Sequence, residues 1–324
     1  MRQAGPTHRL SLGAPVTLLA TVPRVPVLVL ESEGRVYAID ESRLTSMSAQ
    51  PLNPRKEPSG RLILEEADPW WTVNPFTHAV VHAGDDGLGL VDVLTLSRQT
   101  VTLPRLADPL IKAYPNVNDT VFLGLTLHEQ DAVTDRLDVH CFDGASGKML
   151  LQDALCTFGV LKIVWSKAAG AFLIFDRFHQ CLWSWSPEDA AMKSVYTSRK
   201  DEPALRDVTL QEAGSLLVLD LLDEEADQGF ILVGCFDDSG LLWEDPVALP
   251  SFSSGFLQVH PAYPLLASET QRDGFPGVQI LNLKGCPLTQ CELPRDWVTL
   301  NAAWSSKGTE LYLLGDKYIL SWAF

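Results

Sequence analysis

The sequence contains no long apolar run. None of its 324 residues belongs to an uninterrupted apolar stretch of the length that a membrane-spanning helix needs, and the nearest candidate, VTLLATVPRVPVLVL, is broken by Pro23, Arg24 and Pro26. The first residues, MRQAGPTHRLSLGAP, also lack the apolar centre of a signal peptide. We therefore expect a cytoplasmic protein with no membrane partner.

Positive charge is scarce. The chain has 25 Lys and Arg against 41 Asp and Glu, which gives a net charge of −16. Because binding to a phosphate backbone requires a basic face, nucleic acid is excluded as a direct partner. A basic protein or peptide is the partner that this charge favours.

Metal and catalytic motifs are also missing. The six cysteines form no CxxC pair, and the GxSxG, HExxH, P-loop and dinucleotide-binding glycine patterns do not occur. His78 and His82 lie on a predicted strand, where four residues span about 13 Å, so they cannot share one metal ion. We expect no metal and no cofactor.

What the sequence does contain is a repeat. Seven times, a short apolar run, a tight turn, a second apolar run, a polar loop and a third run follow one another, and a fourth run usually comes next. The residues that open the first turns lie about 47 residues apart on average: Pro23, Pro75, Pro115, Ser166, Gln211, Pro261 and Ser305. Four strands in each repeat predict an all-β, seven-bladed β-propeller with four-stranded antiparallel blades, in one domain that covers residues 1–324.

The seventh repeat supplies only three strands before Phe324. Residues 7–15, THRLSLGAP, read as a strand without a repeat of its own. We expect this strand to pair with the last strand, residues 318–324, and so to close the ring without an open edge.

The blade pattern, for example LDVHCFDGASGKML, resembles that of the seven-bladed WD40-like and YVTN-like propellers. The GH…WD signature of true WD40 repeats is missing. The resemblance implies a fold and a tendency to bind partners, but no activity.

Two features depart from the repeat. Residues 41–60 form an insertion in the first blade that is rich in Pro and Ser, which predicts a flexible loop or a projecting binding element. Trp70 and Trp71 lie between the first and second blades, where one is expected in the core and the other is a candidate binding anchor.

The loops between the second and third strands carry most of the excess acid. We name as candidate protein-binding residues Asp85, Asp86, Glu129, Asp131, Asp135, Asp176, Asp223, Glu224, Glu225, Asp227 and Asp273. Loops of this kind open onto one face of a propeller, and a field of one sign steers a partner of the opposite charge.

These observations favour a non-catalytic interaction module, monomeric on its own, that binds a basic protein or peptide through its acidic loop face. An inhibitor of the immunity-protein kind and a scaffold subunit of a larger assembly are both compatible with it. One alternative is a lactonase-like propeller enzyme with a site at the channel mouth, built from residues such as His179, His260 and Asp176. Another is a small ligand in the channel, with the segment around Trp70 and Trp71 as a lid.

Overall fold

The computed structural model describes residues 2–4, 6–45, 50–65, 71–84, 87–129, 135–156, 161–211, 215–237, 240–249, 253–272 and 275–324. Two short strands come first, β1 (Arg2–Ala4) and β2 (His8–Ser11). All strands of the described residues belong to seven sheets, and the one helix among them is α1 (Ser42–Thr45). No helix in these ranges is long and apolar enough to cross a membrane.

The chain divides into two compact units. Unit 1 comprises Met1–Glu66, Asp207–Cys235 and Leu241–Phe324, and unit 2 comprises Ala67–Arg206 and Phe236–Gly240. Unit 1 contains blades 1, 5, 6 and 7, and unit 2 contains blades 2, 3 and 4, apart from the ends of three strands of blade 5, which belong to unit 2.

In unit 1, strands that follow one another along the chain pair in antiparallel fashion within each blade. Blade 1 consists of β3 (Leu18–Val22), β4 (Val25–Ser32), β5 (Arg35–Asp40) and β6 (Arg61–Leu64).

The blades of unit 2 have the same order. Blade 2 consists of β7 (Thr72–Val73), β8 (Ala79–Gly84), β9 (Gly87–Asp92) and β10 (Arg98–Thr102). Blade 3 consists of β11 (Leu110–Pro115), β12 (Val121–Glu129), β13 (Asp135–Asp143) and β14 (Met149–Cys156). Blade 4 consists of β15 (Leu161–Ser166), β16 (Ala171–Asp176), β17 (Cys181–Trp185) and β18 (Lys193–Thr197).

The remaining blades belong to unit 1. Blade 5 consists of β19 (Ala204–Leu210), β20 (Leu216–Asp223), β21 (Gln228–Asp237) and β22 (Gly240–Trp243), and the short β23 (Val247–Ala248) also pairs with β21. Blade 6 consists of β24 (Ser253–Val259), β25 (Leu265–Arg272), β26 (Phe275–Asn282) and β27 (Pro287–Glu292). Blade 7 has β28 (Asn301–Trp304), β29 (Glu310–Leu314) and β30 (Tyr318–Ala323).

The predicted seven-bladed β-propeller is confirmed, and so is the pairing of the N-terminal strand. β2 completes blade 7 by pairing antiparallel with β30, in a register that places His8 opposite Ser321 and Ser11 opposite Tyr318. The sequence did not indicate β1, which adds a parallel fifth strand to β27 of blade 6.

Neighbouring blades within each unit pack face to face through apolar side chains. Leu10 on β2 joins a cluster with residues of blades 1 and 7, and Trp304 and Trp322 fill the cluster between blades 6 and 7. In unit 2, Trp185 lies in the cluster between blades 3 and 4. The aromatic strand residues thus supply apolar contact between blades.

The turns between first and second strands, here called first turns, contain a second, polar kind of contact. In six blades a buried polar residue ends or follows the first strand: Asn74, Asn116, Ser166, Gln211, His260 and Ser305. Most of these side chains accept hydrogen bonds from the backbone of their own turn, as when Asn74 Oδ1 accepts from Phe76 N at 2.9 Å. Buried polar groups need such partners, so these residues shape the turns.

Three of them also bind a neighbouring blade of the same unit. Asn74 Nδ2 donates to Asn116 O at 2.9 Å, Gln211 Nε2 to His260 O at 3.1 Å, and His260 Nε2 to Gly308 O at 2.7 Å. The first turns therefore connect successive blades by directional bonds.

The inserted segment 41–60, predicted as a flexible loop, makes several contacts in its described part. Leu44 and Leu52 are buried in the cluster between blades 1 and 7, and Leu52 forms a bridge with Leu12. Arg43 pairs with Glu57 at 3.0 Å. These two leucines, in a segment otherwise rich in Pro and Ser, pack it against the sheets.

Candidate functional site

A cavity of about 260 Å³ lies in unit 1, among the first strands of blades 5, 6, 7 and 1. Its walls come from β3, the end of β19, β24 and β28, together with the starts of three first turns. This volume is close to the lower end of the range that small-molecule sites have, roughly 300–1,000 Å³. The cavity is therefore suited to one small ligand or one unit of a larger one.

The lining of the cavity is mixed. Thr21, Gln258, Ser305 and Ser306 contribute polar groups, and Trp304 contributes the largest apolar side chain. No hydrogen-bond acceptor for Trp304 Nε1 is present among the described residues, although this atom is buried. Apolar walls with a few polar groups are what a small-molecule site requires.

Ser306 is held in place by a buried carboxylate. Glu41, which is only 8% exposed, accepts bonds from Ser306 N at 2.8 Å, Ser306 Oγ at 2.5 Å and Tyr312 Oη at 3.1 Å. Burial, together with the negative charge of Glu41, raises the pKa of Tyr312, which stays protonated and donates. This group of residues joins blade 7 to the end of blade 1 directly beside the cavity.

Sequence reasoning missed Glu41 and Ser306. They are 265 positions apart, and Glu41 is the first residue of the insertion that the composition marks as a loop. Nothing short of the fold itself brings them together.

Two cationic residues directly follow residues of the cavity wall. Arg24 follows Pro23 and Lys307 follows Ser306, and both are exposed. Arg24 N donates to Ser306 O at 3.0 Å, so the two turns are in contact. None of the described residues that line the cavity is acidic. In a chain of net charge −16, two cations that directly follow wall residues are a local exception that favours an anionic group.

His260, a candidate from the sequence, uses both ring nitrogens within unit 1. Nε2 donates to Gly308 O, and Nδ1 accepts from Ala262 N at 3.0 Å and Tyr263 N at 2.9 Å. Burial lowers the pKa of the ring, which is consistent with this neutral form. A Cβ at Gly308, whose φ is +71°, would come within 2.8 Å of the ring. His260 therefore fixes two turns and has no free lone pair for proton transfer.

Asp176 and His179, the other two channel candidates, form a pair in unit 2. The Asp176 side chain is buried, and Oδ2 lies 2.6 Å from His179 Nδ1, while Oδ1 accepts from Phe178 N and His179 N. The ring of His179 is 43% exposed. The carboxylate fixes the orientation of this imidazole, as in many acid–base pairs, but it also builds the turn.

The candidate acidic face is partly described. Asp85, Asp86, Asp131 and Asp273 lie outside the described residues, as does Trp70, and the side chains of Glu129 and Asp135 are not described. Glu224, Glu225 and Asp227 are exposed, whereas Asp223 is half-buried and caps its own turn. Trp71 is buried, at 3% exposure.

No family model matches the sequence, and no curated protein matches it. Solved structures do match. An oligogalacturonate lyase in complex with manganese has 14% identity and a TM-score of 0.69, over 98% of this chain and 90% of that one. An oligogalacturonate lyase from Vibrio parahaemolyticus has 12% identity and a TM-score of 0.66, over 97% and 91% of the two chains.

The first of these structures is a complex with manganese, an ion that is held by several converging carboxylate or imidazole ligands. Among the described residues, no three His, Cys, Asp or Glu side chains converge closely enough to hold one. The residues in those ranges do not fit such an ion.

The comparison corrects the main functional expectation. A non-catalytic module that binds a basic protein or peptide through an acidic face is contradicted, because the structural neighbours are enzymes. The finding favours the alternative, an enzyme or small-ligand site at the channel. At 12–14% identity the likeness itself establishes one property of this chain, the seven-bladed β-propeller fold.

Proposed function

We propose that the protein is a carbohydrate-acting propeller that binds a small sugar carrying a carboxylate in the cavity of unit 1. The observation that carries this proposal is the cavity itself. It combines a polar wall and a tryptophan, two cations directly follow residues of its wall, and none of its described lining residues is acidic. Sugars offer hydroxyls to polar walls and apolar C–H faces to aromatic rings, so they suit such a lining.

The names of the structural neighbours support a carbohydrate acid as the ligand class, since both are lyases named for oligogalacturonate. The position of the cations supports the carboxylate. Arg24 and Lys307 emerge from two turns in contact with each other, so one anionic group can meet both side chains.

Calorimetric titration with galacturonate and with galactose, which lacks the carboxylate, tests the proposal. We expect galacturonate to bind at least about tenfold more tightly, since a charge-assisted bond is worth about 1.5–3 kcal/mol. The double variant Arg24→Gln/Lys307→Gln is expected to lose that preference. The matched control, Lys200→Gln/Lys284→Gln, removes two exposed lysines elsewhere and should keep it.

Equal affinity for the two sugars would refute the carboxylate, and no binding of either would refute the cavity as a sugar site. Incubation with oligogalacturonate, followed by ultraviolet detection of unsaturated uronate, tests turnover separately.

A further inference from the structure

A row of aromatic rings runs from the cavity wall to the surface of unit 1. The ring of Trp304 lies 4.7 Å from that of His260 and 5.7 Å from that of Phe324, and the rings of His260 and Tyr263 are 4.9 Å apart. The two middle rings are buried. The two end rings are not, because Tyr263 is 62% exposed and Phe324 is 49% exposed.

The exposed rings are held on a fixed backbone. Tyr263 N donates to His260 Nδ1, and Tyr263 O accepts from Gln211 Nε2 at 3.2 Å and from Leu265 N at 2.8 Å. Phe324 N donates to Thr309 O at 3.0 Å. A surface whose backbone is ordered before binding loses less entropy when a ligand arrives.

The row is continuous with the cavity. Trp304 and Pro261 line the cavity, and Pro261 lies in the same turn as Tyr263. A ligand that fills the cavity and extends outwards past Pro261 therefore meets the ring of Tyr263. The buried Trp304 Nε1 has no acceptor among the described residues and adds an unsatisfied donor at the centre of the row.

The chemistry of the row distinguishes between possible occupants. A stable protein interface uses roughly 20–30 residues on each side, far more than two exposed rings supply. Nucleic acid bases stack on aromatic rings, but strand binding also needs a positively charged groove that follows the backbone, and neither exposed ring has a Lys or Arg next to it in sequence. A sugar unit has apolar C–H faces and a rim of hydroxyls, which match a phenol ring whose polar end stays in water.

We infer that the exposed ring of Tyr263, at one end of this row and in the same turn as the cavity residue Pro261, forms a second sugar subsite, so the ligand is an oligosaccharide rather than a single sugar. The inference rests on the proposed function of the cavity. It adds that the ligand has at least two sugar units, and it names the residue that contacts the second unit.

The test is a calorimetric titration of the full chain with galacturonate and with trigalacturonate. We expect the trimer to bind about tenfold more tightly than the monomer. Tyr263→Ala should remove most of that gain and leave the monomer affinity unchanged, whereas Tyr263→Phe should retain it. Phe178→Ala is the matched control, because Phe178 is 53% exposed and also contacts a histidine ring, but in unit 2.

Each other outcome has a defined meaning. Equal affinity for monomer and trimer overturns the second subsite and leaves the cavity proposal in place. A gain for the trimer that survives Tyr263→Ala places the extra contact elsewhere and also overturns the inference. The same loss in Phe178→Ala overturns it as well, and no binding of either sugar overturns both proposals.

Discussion

The buried polar residues of the first turns and the aspartates of the turns between second and third strands, here called second turns, differ in where their side chains make bonds. In the first turns, buried residues such as Asn74 and His260 bond to the backbone of their own turn and of the next blade. In the described second turns, Asp176 and Asp223 bond within their own turn. Polar residues thus have two roles in the same fold, to connect blades and to shape a loop.

The difference shows why a count of charges in the second turns does not by itself locate a binding surface. The sequence places Asp176 on the candidate acidic face, but its side chain is buried and caps a turn. The residues beside the cavity, in contrast, come from first turns, where there are few formal charges. The bond from Ser306 N to Glu41, which joins blade 7 to the end of blade 1, holds Ser306 in the wall.

The largest effect is expected from Glu41→Ala. The variant leaves Ser306 N and Ser306 Oγ without their buried acceptor, whereas Tyr312 Oη keeps its bond to Glu310 Oε2. We therefore expect the free energy of unfolding to fall by about 4 kcal/mol. Urea denaturation measures it. Glu224→Ala, an exposed acid of a second turn, should change the free energy by less than about 0.5 kcal/mol. A similar fall in the free energy of unfolding for both variants would mean that the buried acid between blades stabilises the protein no more than an exposed acid of a second turn.

A smaller effect is expected from Asn74→Ala. This side chain donates to Asn116 O and Asp119 Oδ1 and accepts from Phe76 N, and it is fully buried. We expect a loss of about 2–3 kcal/mol in urea denaturation. Asp223→Ala, which removes two bonds within a half-buried second turn, should cost about 1 kcal/mol or less. If Asp223→Ala lowers the free energy of unfolding as much as Asn74→Ala does, bonds between blades stabilise the protein no more than bonds within a turn.

How much of this the sequence could predict depends on the distance along the chain. The strands of each blade are neighbours in sequence, so alternating apolar runs and turns were enough to predict seven blades and the pairing of β2 with β30. The contact of Glu41 with Ser306 joins residues that are 265 positions apart, and no local pattern reports it.

The polar residues of the first turns are an instructive intermediate case. In three blades they stand next to the prolines that mark the turn, Asn74 before Pro75, Asn116 after Pro115 and His260 before Pro261. The prolines alone are enough to predict these three turns, so the polar residues beside them add nothing to the prediction of the turn. A polar residue that recurs at the end of an apolar strand was the signal that could have identified the whole set.

A pH-dependent effect follows from His260. Burial lowers the pKa of this ring in the folded protein, so the unfolded chain binds a proton more readily below the ordinary histidine pKa of about 6.5. The contribution of the neutral His260 ring to the free energy of unfolding is therefore fully present above that pH. It declines as the pH falls below it, by at most about 1.4 kcal/mol per pH unit for one group. His82 and His140, whose pKa values burial also lowers, contribute in the same direction.

The variant His260→Gln is expected to unfold more easily at pH 7.5, because glutamine cannot reproduce all of the bonds to two turns. Between pH 6.5 and 5, its free energy of unfolding should decline less steeply than that of the wild type. Chemical denaturation at several pH values gives both slopes. Parallel slopes would mean that His260 is not buried as a neutral ring.

The smallest effect is expected from reversing the exposed charges of one second turn, with Glu224, Glu225 and Asp227 all changed to Lys. At physiological ionic strength, exposed charges are screened beyond about 8 Å, so the free energy of unfolding should change by less than about 0.5 kcal/mol. Galacturonate affinity should also stay within about twofold of the wild type, in contrast to the loss of preference in Arg24→Gln/Lys307→Gln. A gain in affinity as large as that loss would mean that the overall charge of the chain controls ligand binding. In that case the cations beside the cavity would have no local role, and the two classes of turn would differ in stability alone.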